Sequence, residues 1–254
     1  MSAASNSEAS GAKAADIQVL CAGAMHRIMD VLVPAFESAS GKTVAIRFAS
    51  SGGVRNRVLG GEGADVVITT LAAVNELFRN AKIAKVGGAV VAQSPIGVAV
   101  RAGAAKPDIG TVDAFKIALQ QAKSLAYADP ATGSPSANHF VKVLERLGLT
   151  AALKPKTKLI GAAPGSVVVV CGAVANGDAE IGIQQISEIL GVPGVELVGP
   201  LPSELQHLTV FSAAVGAKAR NAASARALIA FITSPEAALV VEAHGMLAPS
   251  PAMQ

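Results

Sequence analysis

The segment Ser50-Ser51-Gly52-Gly53 is the feature that most limits how this chain folds. It follows an apolar, strand-like run over residues 43–49 and precedes a helix-like segment that begins at Val54. Such a junction points free backbone N–H groups and two hydroxyls at one spot, in front of the positive end of a helix dipole. The segment therefore predicts a strand, an anion-binding turn and a helix.

Three further junctions of the same kind occur along the chain. Residues 21–24, 132–136 and 164–166 each combine small, hydroxyl-bearing or glycine residues with the start of a predicted helix. A single Ser-Gly helix start is most often only a cap. Four of them in one chain favour a shared cleft for a small anionic ligand.

Strand and helix patterns alternate from Asp16 onward. Apolar strand-like runs are followed by helix-like segments in two series, with predicted strands at residues 17–21, 43–49, 65–69, 124–128, 158–160 and 181–184. This order predicts an α/β fold with mostly parallel sheets flanked by helices and right-handed crossovers. Ligands of such sheets bind beyond the carboxyl ends of the strands.

Two β-rich stretches, residues 89–100 and 208–215, indicate crossings between two lobes. They predict a first lobe of residues 16–92 and 208–254 and a second lobe of residues 93–207, with the ligand cleft between them. Residues 1–15 are rich in Ala, Ser and Gly and are predicted to form a disordered tail.

Composition narrows the class of ligand. Aromatic residues make up 3% of the 254 residues and Trp is absent, which argues against a sugar groove or a nucleic-acid platform built on stacking. The net charge of +3 has no basic patch behind it, so nucleic acid is not expected and a small anion is favoured. Cys21 and Cys171 lack the spacing of metal ligands, and neither a metal nor a cofactor is predicted.

The apolar runs are too short for a membrane-spanning helix, so no membrane insertion is expected. The N-terminus carries no apolar core of a signal peptide. The expected location is therefore periplasmic if a signal peptide has been removed, and cytoplasmic if Met1 is the native start.

Several segments, in order and spacing, match a known family over residues 17–249. They are residues 48–52, 63–66, 128–131, 144–148, 174–182, 227–238 and 245–246. With them the chain resembles the periplasmic molybdate-binding proteins of ABC importers, which are two-lobed type II solute-binding proteins. The resemblance implies the type II periplasmic binding protein fold, a small anion in the cleft and an ABC permease as partner.

The resemblance also implies a set of ligand contacts, since the family holds a tetrahedral oxyanion with Ser hydroxyls, backbone N–H groups and one Tyr hydroxyl. The implied contacts and the polar residues beside them are Ala24, Ser50, Ser51, Gly52, Arg55, Gly133, Ser134, Ser136, Ser166, Val167, Gln184 and Gln185. Whether Ser50 or Ser51 faces the cleft is left open by the sequence.

Two positions depart from the family pattern. Ala24 stands where the family has its first Ser, and the Tyr position falls near Gln185. Each lost hydroxyl removes a charge-assisted hydrogen bond of roughly 1.5–3 kcal/mol. Because Arg grips planar carboxylates through two hydrogen bonds, Arg55 together with His26 favours an organic di- or tricarboxylate over molybdate.

Three functions remain open at this point. The first is a solute-binding protein that closes over an anion for an importer. The second is an isomerase of a small unsaturated tricarboxylate such as aconitate, because isomerases of aconitate are similar to this group; His26 or His139 would then carry the proton and Arg55 would hold a carboxylate. The third is a ligand-sensing regulatory domain, for which the chain has no DNA-binding element.

Overall fold

The computed structural model describes residues 15–161 and 169–249, which form two five-stranded sheets with helices on their faces. The strands are β1 (Ile17–Ala22), β2 (Val44–Ala49), β3 (Val66–Thr70), β4 (Ala89–Ser94), β5 (Ile96–Arg101), β6 (Leu125–Ala128), β7 (Thr157–Ile160), β8 (Ile181–Gln185), β9 (Val195–Pro200) and β10 (Thr209–Val215). The helices are α1 (His26–Ser40), α2 (Ser51–Leu59), α3 (Leu71–Arg79), α4 (Val112–Gln121), α5 (Pro135–Arg146), α6 (Thr150–Leu153), α7 (Val170–Ala175), α8 (Ile186–Ile189), α9 (Ala222–Ile232) and α10 (Pro235–Ala243).

Each sheet is mostly parallel with one reversed strand. The first sheet has the order β2-β1-β3-β10-β4, with β1 parallel to β2 and β3, and with β10 antiparallel to both β3 and β4. The second has the order β7-β6-β8-β5-β9, in which β5 is the reversed strand. The predicted α/β fold with two lobes of flanked, mostly parallel sheets is confirmed.

We call the first sheet with its helices lobe 1 and the second lobe 2. The chain passes from β4 to β5 through Pro95 and returns between β9 and β10. The two crossings are joined by Gln206, whose side chain accepts from the Ile96 N–H at 2.9 Å and donates to the Ile96 carbonyl at 2.8 Å. The predicted lobe boundaries stay a prediction, and the predicted tail lies, except for Ala15, outside the described residues.

The two sheets are stabilised by separate cores. Phe115 and Phe140 pack with the buried residues of lobe 2, whereas Phe211 packs with Met25 and Ile28 in lobe 1. Because each lobe buries its own apolar side chains, the lobes are stable units joined mainly by the two crossings.

Two helix boundaries matter for the cleft between the lobes. Helix α2 begins at Ser51, three residues before the predicted start, because Ser50 is its N-cap and accepts a hydrogen bond from the Gly53 N–H. Helix α8 was not predicted and follows β8 without an intervening turn.

Among the described helices none is by itself long and apolar enough to cross a membrane; α9 and α10 reach that length and hydropathy only as a pair bent by 60°.

Asp65 ties the start of β3 to its surroundings. Its carboxylate is buried, accepts from the Gln18 N–H at 2.7 Å and from the Arg220 N–H at 2.6 Å, and lies 3.5 Å from the Arg220 guanidinium. One side chain thereby joins β1, β3 and the segment that leads to α9.

Replacement of Asp65 by Ala is therefore expected to lower the free energy of unfolding by about 3 kcal/mol, because two backbone N–H groups lose a buried, charged acceptor. Urea unfolding measures the change. Asp30→Ala is the control: Asp30 is exposed and lies 3.6 Å from His26, so its loss should change stability by less than about 0.5 kcal/mol. Equal stabilities of the two variants would contradict the assignment.

Candidate ligand site

The lobes touch where the N-termini of α2 and α5 meet. The Ser50 hydroxyl donates to the Thr132 carbonyl at 2.6 Å and accepts from the Gly53 N–H at 3.0 Å. One hydroxyl thus caps a helix of lobe 1 and binds the backbone of lobe 2. In this closed arrangement the Ser50 hydroxyl is used between the lobes.

Beside this hydrogen bond two glycines bring the backbones into contact. A Cβ atom added to Gly52 would lie 2.6 Å from the Gly133 Cα and 2.8 Å from the Thr132 carbonyl oxygen. Gly133 also has φ +71°, a left-handed conformation that suits glycine. The lobes approach this closely only because neither position carries a side chain.

A small inner cavity lies directly behind the glycine contact. Its volume is about 20 Å³, enough for one water-sized group. Both lobes supply its walls: it is lined by Gly23, Ala24, Ala49, Ser50, Ser51, Ser134, Pro135, Gln184, Gln185, Glu188 and Phe211. Six of the twelve residues predicted to contact a ligand therefore lie around one cavity.

A chain of hydroxyls and amides forms the lobe 2 wall. Ser134 and Ser136 share a hydrogen bond of 3.1 Å between their hydroxyls, and the Ser136 hydroxyl donates to Gln184 Oε1 at 3.1 Å. The Gln185 Nε2 donates to the Thr209 hydroxyl at 2.8 Å. Ser134, Ser136, Gln184 and Gln185 are all buried. Their positions are therefore fixed by hydrogen bonds rather than by solvent.

Among the residues that the structure describes, Glu188 is the one ionisable residue in the wall of the inner cavity. It stands on α8, the unpredicted helical turn after β8. Burial raises the pKa of its carboxyl group to about 8, and no described residue supplies a charge or hydrogen bond that would lower the pKa. At neutral pH the group is therefore mostly protonated.

Glu188 was missed on the sequence, although a signal was present. β8 is an apolar strand, and polar side chains follow it at the carboxyl end where α/β sheets place their ligands. Gln184 and Gln185 were noted at this edge, and the same reasoning extended by three residues would have included Glu188.

A larger outer cavity of about 540 Å³ adjoins the inner one and shares Ser51 and Pro135 with it. Arg55 lines this outer cavity, where its guanidinium lies 3.5 Å from Glu76 and donates to Asn56 Oδ1 at 3.0 Å. The cavity is also lined by the start of α3, the start of α5 and residues 207–210 of the return crossing. Its size lies in the range of small-molecule sites.

The two predicted histidines lie elsewhere. His26 packs against the Phe48 ring, with centroids 4.2 Å apart, and lines a third cavity of about 170 Å³ that Glu188 also borders. His139 binds the Leu205 carbonyl through Nε2 at 2.8 Å and stacks on His207, with ring centroids 4.9 Å apart. His26 and Arg55 thus line different cavities.

His207, unlike His139, lines the outer cavity. Burial lowers the pKa of His207, and the neighbouring His139 and Lys142 lower it further, so its ring is neutral at pH 7. Ser166 and Val167, which were also predicted to contact the ligand, lie outside the described residues. In the part of the chain that the structure describes, no group of three or more His, Cys, Asp or Glu residues is arranged for a metal ion.

One family model and two relatives match the chain, and the three carry different descriptions. A family model described as bacterial extracellular solute-binding protein matches residues 17–247. An aconitate isomerase from Pseudomonas sp is 36% identical over 242 residues, which cover 93% of this chain and 88% of the relative. The molybdate-binding protein ModA from Azotobacter vinelandii is 29% identical over 248 residues, which cover 93% of this chain and 92% of that protein.

The fold has solved counterparts as well. The periplasmic molybdate-binding protein from Azotobacter vinelandii superposes with a TM-score of 0.76 at 19% identity, covering 92% of this chain and 100% of the other. This likeness concerns the fold. Together with the family model it confirms the resemblance found on the sequence, and the chain belongs to the bacterial extracellular solute-binding protein family.

Proposed function

We propose that this protein binds a small unsaturated tricarboxylate of the aconitate type in the cleft and interconverts its isomers by moving an allylic proton, with Glu188 as the proton carrier. The observation that carries the proposal is Glu188 itself: a partly buried residue whose carboxyl group has a raised pKa, without a charged partner among the described residues, in the wall of the inner cavity. The 36% identity to an aconitate isomerase over 93% of the chain points the same way.

A receptor for a fully ionised oxyanion gains nothing from a carboxyl group in this position. Ionised, Glu188 would repel the anion; protonated, it would offer one hydrogen bond that a neutral Ser or Tyr hydroxyl offers as well. A group that takes up and returns a proton near neutral pH is, in contrast, what a proton-transfer reaction needs.

The chemistry balances without any other reactant. Ionised Glu188 accepts a proton from the methylene carbon, and the electron pair of that C–H bond forms a new C=C bond to the central carbon. The electron pair of the original C=C bond then takes the proton back from Glu188 at the former vinylic carbon. The double bond has moved by one position, and the carboxylate ends in its new cis or trans relation.

The two cavities suit the parts of such a ligand. The inner cavity of about 20 Å³ accommodates only the tip of one carboxyl group, among the hydroxyls of Ser51 and Ser134. The reacting carbons would lie at the junction of the two cavities, where Ser51 and Pro135 line both, within reach of Glu188. The remainder of the molecule would lie in the outer cavity of about 540 Å³, which Arg55 lines. In this arrangement Arg55 keeps the carboxylate-holding role predicted for it on the sequence.

A second function, an importer receptor that closes over a carboxylate without changing it, is favoured by family membership and by the two crossings between the lobes. Binding of tricarboxylates with no interconversion of isomers would support the receptor and overturn the isomerase.

Glu188→Gln is expected to reduce the rate of trans-aconitate isomerisation by about 10²–10⁴-fold, the usual contribution of a positioned acid–base group. Chromatographic separation of the cis and trans isomers measures the rate. A variant as fast as the unmodified protein would rule out Glu188 as the proton carrier.

The rate should also follow the ionisation of Glu188. Because the carboxylate form accepts the proton, kcat at saturating trans-aconitate is expected to rise between pH 6 and 8 and to level off above the pKa of about 8. A profile that is flat over this range would contradict the assignment.

Stability provides the control for Glu188→Gln. The pKa of Glu188 is raised from 4.5 in the unfolded chain to about 8 in the fold, so stability is highest below pH 4.5 and declines as the pH rises towards 8. Gln has no charge to bury. The variant should roughly equal the unmodified protein at pH 4.5 and exceed it at pH 8, by on the order of 4 kcal/mol, which would separate lost activity from lost folding.

Arg55→Gln is expected to weaken tricarboxylate binding about tenfold or more, since one charge-assisted hydrogen bond is worth about 1.5–3 kcal/mol. Calorimetric titration with tricarballylate, the saturated analogue, measures affinity without turnover. Arg57→Gln is the matched control on the same helix: Arg57 is paired with Glu62 at 2.6 Å and does not line the outer cavity. Equal affinities in the two variants would remove Arg55 from the site.

Gly52→Ala is expected to prevent closure of the lobes, because the added methyl group meets the Gly133 backbone. The decrease in radius of gyration on adding tricarballylate, measured by small-angle X-ray scattering, should disappear, while the melting temperature without ligand stays the same or rises. Gly63→Ala, where an added Cβ meets no atom within 4 Å, should close normally. Normal closure of Gly52→Ala would show that the glycine contact does not control the cleft.

A further inference from the structure

Gln185 leaves one buried polar atom without a partner. The residue is 1% exposed, its Nε2 donates to the Thr209 hydroxyl at 2.8 Å, and its Oε1 has no hydrogen-bond partner within residues 15–161 and 169–249. Gln185 lines the inner cavity, the space proposed for one carboxyl group of the ligand. Buried acceptors are rarely left unpaired, so this oxygen requires a donor from the occupant of the cavity.

The neighbouring amide shows the contrast. Gln184 Oε1 already accepts from the Ser136 hydroxyl at 3.1 Å. The Ser134 and Ser136 hydroxyls are therefore directed towards one another and towards Gln184, whereas Gln185, which lines the cavity, has an amide oxygen without a partner among the described residues. A fully ionised carboxylate or oxyanion, which has acceptors only, cannot satisfy that oxygen.

We propose that Gln185 Oε1 accepts a hydrogen bond from a carboxyl group of the ligand that keeps its proton, so that the site selects partly protonated polycarboxylic acids and rejects fully ionised oxyanions. The ligand class rests on the proposed function; the requirement for a donor rests on Gln185 alone. Binding from a neutral solution of the ionised acid then takes up one proton from the solvent.

The proton on this carboxyl group also helps the proposed reaction. Removing a proton next to a negatively charged carboxylate builds a second negative charge, whereas a neutral carboxylic acid accepts the developing electron density more readily. A hydrogen bond to Gln185 would hold the carboxyl group in its neutral form while Glu188 takes the allylic proton. The carboxyl proton stays on the ligand throughout, so the reaction transfers only the allylic proton.

The test is a calorimetric titration of the protein with tricarballylate at pH 7, in two buffers whose ionisation enthalpies differ. The heat difference between the buffers gives the number of protons taken up on binding. We expect about one proton per ligand, together with an affinity that rises about tenfold for each unit by which the pH is lowered, as long as the free ligand stays fully ionised. The same proton count in Glu188→Gln would show that the proton does not go to Glu188.

Gln185→Met, which keeps the length of the side chain and removes the acceptor, should bind with a proton count near zero. Gln184→Met is the matched control: it removes an amide whose oxygen is already paired, and it should weaken binding without changing the count. Urea unfolding of both variants verifies that they fold, and the count in the unmodified protein stands without any variant.

A proton count near zero in the unmodified protein would overturn the proposal and would mean that the amide turns its NH₂ group to the ligand. An unchanged count in Gln185→Met would also overturn it. If tricarballylate binds but carries no proton, only this inference fails. If no tricarboxylate binds at all, the proposed function fails and this inference with it.

Discussion

The approach of two glycine backbones is the constraint on which the site depends. Gly52 lies in the first turn of helix α2 in lobe 1 and Gly133 precedes helix α5 in lobe 2, and their separation leaves no room for a Cβ atom. Their contact brings the Ser50 hydroxyl to the Thr132 carbonyl and places residues of both lobes around one inner cavity. If the lobes moved apart, this wall would open. Closure and assembly of the site are therefore the same event, and a side chain at either glycine would oppose both.

The distribution of charge across the cleft explains how an anion can lie beside a carboxyl group. The only ionisable group that lines the inner cavity within residues 15–161 and 169–249 is Glu188, and burial keeps it mostly neutral at pH 7. Arg55 lies in the outer cavity, near the mouth, where it remains partly solvated beside Glu76. The charge of the ligand is therefore compensated in the outer cavity, whereas in the inner cavity a single proton would move to and from Glu188.

Much of the fold could be predicted from the alternation of strands and helices, because the period of the apolar residues reports on burial directly. The junction at Ser50 was also predicted. Which of Ser50 and Ser51 binds the other lobe was not, since this depends on the hydrogen bond from the Ser50 hydroxyl to the Thr132 carbonyl. The sequence did not point to Glu188 because α8 is only one turn long and no cap residue marks where it begins. His26 and Arg55 were expected at one cleft mouth. They lie apart because α1 packs against α9 and α10 whereas α2 packs against α3. The two helices therefore lie on opposite faces of the same sheet.

The unequal size of the two cavities bears on how one site could serve both isomers of an unsaturated tricarboxylate. The isomers share a carboxyl group on the central carbon and differ in where the carboxylate across the double bond points. A tight inner cavity of about 20 Å³ fixes one end of the molecule and leaves little freedom for the carbon that faces Glu188. An outer cavity of about 540 Å³ gives the differing end room to lie in either direction. A receptor would gain affinity from a close fit at both ends, whereas an isomerase that bound one isomer closely at both ends would hold it and release the other. The combination of one tight end, one roomy end and a single uncompensated carboxyl group between lobes that close is therefore better suited to turnover than to storage of a single anion.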